Sequence, residues 1–417
     1  QELADAGFNL VYSGADTEAL DKLASHGMYA WINTGGQIDL SENPEAGKKH
    51  LADLVAKFGG HPALITWEVP DEALWNCWYG AQTWRRGTEP AEQRKHINAL
   101  NDEALRATLR AQREKVDALY HQGRHAEAES LSDDLWRQLQ LEPPRPGYGL
   151  GDAPARAQKM CKGMLDGYTL LKELSGHPVW MNHAPRNQID QLAAFNKAAD
   201  IVGCDIYPVP ANGKIGHSDL ANRHLSCVGD YTRRMAESAP GKPVWMVLQG
   251  FGWGDIQPDR SESERRELRR PTLQETRFMA YDAIAQGARG ILYWGSHAVE
   301  TDSVFYGELL TFVSELRELQ PMLAAPDAAL NTTTSFEPTL GSVDRDIVVL
   351  AKDHGDTPWL LVVNEWTDSL TGTVSGLESL NGTRYRERTS GEQAVVTNGQ
   401  ITLHMPGQSV HILEPVD

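Results

Sequence analysis

The stretch Ile65-Thr66-Trp67-Glu68-Val69-Pro70-Asp71-Glu72 decides how the chain is read. Residues Leu64–Val69 form a short apolar run with β-branched and aromatic side chains, which predicts a buried strand. Pro70 ends the strand pairing, and two adjacent carboxyl groups follow at its carboxyl end. A helical pattern carrying Trp75 and Trp78 begins at once. Acidic residues at a helix start can serve as caps, so Asp71 and Glu72 admit a purely structural reading. The wider pattern argues for more.

Six further runs resemble Leu64–Val69: Asn9–Ser13, Tyr29–Thr34, Val179–His183, Val202–Tyr207, Val244–Gln249 and Gly290–Trp294. Helical patterns alternate with them, at Thr17–His26, Lys48–Phe58, Gln191–Ala199, Asp230–Ser238 and Leu273–Gln286, and Gly27, Gly60, Gly176 and Gly287 sit where helices should end. Strand and helix in alternation build a parallel sheet. The expectation over residues 1–320 is therefore an α/β (β/α)8 TIM-type barrel whose first strand lies upstream of Gln1. An open or seven-stranded sheet is the alternative.

Between the third and fourth runs lies an insertion at about 76–160, far longer than a usual strand–helix connection. Leu105, Leu109, Val116 and Tyr120 fall on one helical face, Gly123 breaks the run, and Ala128, Leu131 and Trp136 continue it. A helical hairpin results, expected as a lid, as a subunit contact in a homo-oligomer, or as plain decoration. Beyond residue 320 the pattern changes to short alternating segments parted by turns such as Asn381-Gly382 and Asn398-Gly399. Residues 321–417 thus read as a C-terminal antiparallel β-sandwich.

Composition bounds the partners. The chain has 417 residues and a formal net charge of −18, which disfavours nucleic acid or an anionic membrane surface. No apolar run reaches the roughly 18 residues needed to span a bilayer. Cys77, Cys161, Cys204 and Cys227 have neither a CxxC nor a metal-ligand spacing. The start, Gln1-Glu2-Leu3, lacks a basic and apolar leader; the protein is then cytosolic, or secreted or periplasmic if a signal segment precedes it. Two glycosylation-type triplets, at Asn331 and Asn381, are weak signals.

In parallel barrels the carboxyl ends of the strands face one pocket. Those ends supply Tyr12 and Ser13; Trp31 and Asn33; Trp67, Glu68, Asp71 and Glu72; Asn182 and His183; Asp205 and Tyr207; Gln249 and Trp253; and Trp294, Ser296 and His297. Carboxyl groups can move protons to and from a glycosidic oxygen, and aromatic faces stack on pyranose rings. Oligo- or polysaccharide is the substrate this set suggests, and no metal or organic cofactor is implied.

Three of the motifs resemble those of clan A glycoside hydrolases, (β/α)8 barrels of a family 5 or family 42 layout. Trp67-Glu68-Val69-Pro70-Asp71-Glu72-Ala73 is similar to the fourth barrel strand of such enzymes, which ends in the general acid/base. Pro243–Gly252 is similar to the seventh, and Gly287–Trp294 to the eighth with its aromatic platform. The resemblance implies hydrolysis of O-glycosidic bonds with Glu72 as acid. It also exposes a departure, because Gln249 stands where a retaining enzyme has its nucleophilic glutamate, and an amide cannot form the glycosyl ester.

Four accounts of Gln249 are open: a substitution introduced to trap substrate, a second carboxylate acting as base on water, an amide that orients an assisting substrate group, or a barrel that binds glycans without cutting them. The second account leads, with Asp205 as base, at the separation of roughly 6.5–9.5 Å that inversion requires. Trp31, Trp67 and Trp294, with Trp75 as a further candidate, would stack on sugar rings; Asn33, Glu68, Asn182, His183, Tyr207 and Gln249 would bond or orient the groups around them. A lyase using His183 or Tyr207 as base is a further alternative.

Overall fold

The structure, a computed structural model, describes residues 1–184, 187–210, 222–341 and 345–416. Seven parallel strands form one sheet in chain order: β1 (Leu10–Tyr12), β2 (Tyr29–Asn33), β3 (Leu64–Glu68), β4 (Val179–His183), β5 (Ile201–Asp205), β6 (Val244–Gln249) and β7 (Ala288–Trp294). All seven fall on the runs picked from sequence. Each neighbouring pair is parallel, for example with Asn182 opposite Gly203 and Asp205 opposite Val247. The outer edges of β1 and β7 are not paired with each other among the described residues.

Side chains alternate across the strands, as the two-residue period demands. On β2, Ala30 and Ile32 join the core beneath the helices, while Trp31 and Asn33 face the interior cavity. On β4, Val179 and Met181 face the helices, and Trp180 and Asn182 the interior. Trp31, Trp180 and Trp245 meet in sequence inside the barrel, with ring centroids 5.4 and 5.6 Å apart.

The long connection after β3 is helical. It includes a hairpin of Glu103–His121 and His125–Gln138, turned at Gly123 with φ 73°. Leu109, Val116, Tyr120, Ala128 and Trp136 are buried as the pattern predicts, whereas Leu105 is 36% exposed near the hairpin's open end. Inside the insertion, Arg85 bonds both Glu89 and Asp133, and Glu89 also accepts from Trp136, so these buried charges are paired.

Helix Val304–Leu323 runs through Pro321 before the chain turns β-rich. Two antiparallel sheets follow. One orders strands 393–395, 384–387, 409–416, 359–364 and 347–352; the other orders 400–405, 370–375 and 333–337. Strand Thr333–Glu337 escapes the sequence reading because its polar Thr-Thr-Ser start gives no apolar alternation. The five-stranded sheet packs Leu361, Val363, Val410 and Ile412 into the same core as barrel helix Leu273–Ala285.

Candidate active site

Glu72 sits at the N-cap position of helix Ala73–Thr83, yet its side chain makes no capping bond. Its backbone lies in the left-handed region at φ 49° and ψ 32°, an uncommon state for a residue with a side chain. The main chain is held on both sides: Glu72 N donates to Asn182 O at 3.2 Å, and Glu72 O accepts from Asn76 N at 2.9 Å. The turn directs the carboxyl group toward β5, within hydrogen-bonding reach of the Asp205 carboxyl. The capping reading of Glu72 therefore fails, because the side chain is spent elsewhere.

Four carboxyl groups gather here. Glu68 Oε2 accepts from Trp31 Nε1 at 3.1 Å and from Asn33 Nδ2 at 2.9 Å. Asp71 Oδ1 accepts from Asn182 Nδ2 at 2.8 Å. Asp205 is buried and hydrogen-bonded to both Glu72 and Tyr207, and its Oδ1 has no partner among the described residues. No arginine or lysine hydrogen-bonds any of the four among the described residues, so each resists ionisation. Burial, then the charge of Asp71, pushes Glu72 up to about 7. Burial raises Glu68 to about 7 against the opposing bonds from Asn33 and Trp31, with Asp71 adding to the rise. Asp205 is driven well above the usual carboxylate range by burial, then by Glu72 and Asp71. The Glu72–Asp205 pair is thus a carboxyl–carboxylate couple that keeps a proton.

Beside this cluster opens a cavity of about 1690 Å³. Trp31, Asn33, Glu68, Asn182, Tyr207 and Trp294 line it, together with Asp71. Trp294 is 43% exposed and stacks on Tyr207 at 5.6 Å and 25°. Phe251 supports both rings edge-on, at 5.1 Å from Trp294 and 5.2 Å from Tyr207. Trp180 Nε1 and Asn182 Oδ1 have no partner among the described residues, and both side chains line the cavity. Trp180 was missed from sequence, although it shares the parity of Asn182 two residues on.

Three expected site residues are placed elsewhere. Trp67 is fully buried against the helices and donates Nε1 to Ser175 Oγ at 2.9 Å. His183 follows inward-facing Asn182 and so faces the helix layer, where Nε2 meets Asn196 Oδ1 at 2.8 Å; burial lowers it to about 4. That position removes it as a sugar ligand and as a lyase base. Gln249 has the inward parity of Trp245 and Val247 but is 0% exposed. Its Oε1 accepts from Val209 N at 2.8 Å, and its Nε2 donates to Val209 O at 2.9 Å and Phe251 O at 3.0 Å. An amide so engaged has nothing left for a substrate. The Glu72–Asp205 separation of roughly 6.5–9.5 Å expected for inversion is also not the geometry found: half-buried Glu72 and buried Asp205 meet each other, with no cationic partner among the described residues.

Among the described residues, no three His, Cys, Asp or Glu side chains converge as metal ligands, and no helix is long and apolar enough to cross a membrane.

No known family model matches the chain, and no curated protein sequence does. Solved structures do share its fold. A β-galactosidase from Bacillus circulans sp. alkalophilus aligns over 100% of this chain and 96% of its own, with a TM-score of 0.53 and 11% identity. A catalytic mutant of Gan42B, a GH42 β-galactosidase from G. stearothermophilus, aligns over 99% of this chain and 94% of its own, with a TM-score of 0.54 and 12% identity. The shared architecture is a parallel-stranded barrel followed by C-terminal antiparallel sheets, the layout that the strand motifs implied.

Proposed function

We propose that the protein is a glycoside hydrolase that cleaves O-glycosidic bonds of an oligo- or polysaccharide, with Glu72 as general acid. The observation that carries this reading is the orientation of Glu72, which gives up its capping role to meet Asp205 beside an indole-lined cavity. A carboxyl group held protonated to about 7 can donate to a departing sugar oxygen at neutral pH. The pair shares a proton, and the productive state is the one with that proton on Glu72, which leaves Asp205, at the end of β5, ionised as the base. Substrate entry parts the two carboxyl groups; a water beside Asp205 then loses its proton to it, the water oxygen bonds the anomeric carbon, and the glycosidic oxygen leaves with the Glu72 proton. Trp294 supplies an open aromatic face for a sugar ring; Asn33, Glu68, Asn182 and Tyr207 offer or orient hydrogen-bonding groups around it.

Digestion of a glycan panel, with anomeric NMR of the first product, tests the reading. Hydrolysis is expected, and the anomer of the first product reports whether substrate parts the Glu72–Asp205 pair to the spacing that inversion requires. Tight binding without cleavage would favour a non-catalytic barrel, and an unsaturated product would mark a lyase.

A further inference from the structure

Gln249 occupies the strand end where the resemblance calls for a nucleophile, and its bonds show a different employment. Its amide pairs with the main chain of Val209 in both directions, donating to the carbonyl and accepting from the N–H, as one peptide group pairs with another. A third bond, to Phe251 O, ties the same side chain to the loop after β6. The segment it grips, Ile206–Pro210, follows Asp205 directly and carries Tyr207. Nearby bonds run the same way: Trp253 Nε1 donates to Tyr207 O at 3.3 Å, and Gly250 N to Trp294 O at 2.9 Å.

We infer that Gln249 is a positioning residue, whose amide fixes the loop that aims Asp205 and Tyr207, and that this strand end is built for an amide rather than being a nucleophile position that lost its acid. A carboxylate there would keep the bond from Val209 N but set its second oxygen against the Val209 and Phe251 carbonyls. Only a group with two N–H donors satisfies both carbonyls: a carboxylate there is an unpaired buried charge, and a protonated carboxyl group has one donor to offer. The inference about catalysis rests on the hydrolase reading; the inference about the clamp does not.

The test uses the full chain with Gln249→Glu and Gln249→Met, checked for folding by circular dichroism and assayed per folded molecule on a panel of 4-nitrophenyl glycosides. Both variants are expected to lose tenfold to a hundredfold in kcat with KM within about twofold, since Gln249 is enclosed and its effect passes through Asp205. Amide hydrogen exchange is expected to accelerate at Val209 and not at Ala30, which donates within the distant β2–β3 region. Two results would overturn the inference: Gln249→Glu matching or exceeding the parent, or a fluorosugar adduct forming on the introduced carboxylate. Unchanged exchange at Val209 would likewise refute the clamp. A parent inert toward every glycoside would defeat the hydrolase reading, while the exchange experiment would still decide the clamp.

Discussion

Glu72 and Asp205 hydrogen-bond each other although both are acids, one from the turn after β3 and the other from the end of β5. Such contact persists only while a proton remains between them, so the two groups titrate as one unit. Their chemistry and their contribution to stability both follow from that proton.

Glu72→Gln is expected to lower kcat/KM by about 10²–10⁴-fold on natural glycans, the usual contribution of a general acid. The loss should be smaller on nitrophenyl glycosides, whose leaving group needs less protonation. Stability should move the other way above neutral pH. Because the folded-state value of Glu72 is raised to about 7, the parent loses stability as pH climbs from the ordinary carboxylate range to that value. The variant escapes this loss, by on the order of 1–2 kcal/mol at pH 8, which denaturant melts will show.

Asp71 raises Glu68, Glu72 and Asp205 alike through its charge, second to burial for Glu72. Asp71→Asn should therefore move the alkaline limb of the kcat/KM profile to lower pH, because Glu72 would then release its proton earlier. A limb that stays in place or moves upward would show that Asp71 does not act on the titrating group.

His183 is a stability residue, and its titration gives a signature. Burial lowers it from 6.5 to about 4, so the unfolded chain takes up the proton first as pH falls through that window. Stability is full above pH 6.5 and drains toward pH 4, by up to about 3 kcal/mol. His183→Gln should flatten that slope while leaving KM unchanged; folding free energies measured at several pH values will check it.

Trp294 and Trp67 make a matched contrast. Trp294→Ala removes an open ring face and should raise KM roughly fivefold, the scale of about 1 kcal/mol for an aromatic contact. Trp67→Ala should leave KM intact but cost about 3–5 kcal/mol of stability as a truncation in a packed core. Equal effects on KM would refute this assignment of the two indoles.

The sequence carried the architecture well because each barrel strand is a short apolar run between helix signals, and all seven runs fold as strands. It also brought Glu72, Asp205, Asn182 and Trp294 into one region by the rule that strand ends converge. Strand parity was legible too: Trp67 precedes inward-facing Glu68 and His183 follows inward-facing Asn182, so a strict period of two would have sent both to the helix side. Gln249 was harder. Its parity is inward, and only the return of Val209 and Phe251 over it encloses it. Such loop packing has no periodic signal. The Glu72–Asp205 contact was equally hidden, since it depends on a left-handed turn that a glutamate rarely adopts.

The indole row of Trp31, Trp180 and Trp245 gives the protein its own optical reporter. Rings this close couple their electronic transitions, and Trp31 ties the row to Glu68 through a 3.1 Å bond. A saccharide that disturbs Glu68 should register in the near-ultraviolet circular dichroism of all three rings together, so that unlabelled sugars can be ranked by titration without any turnover.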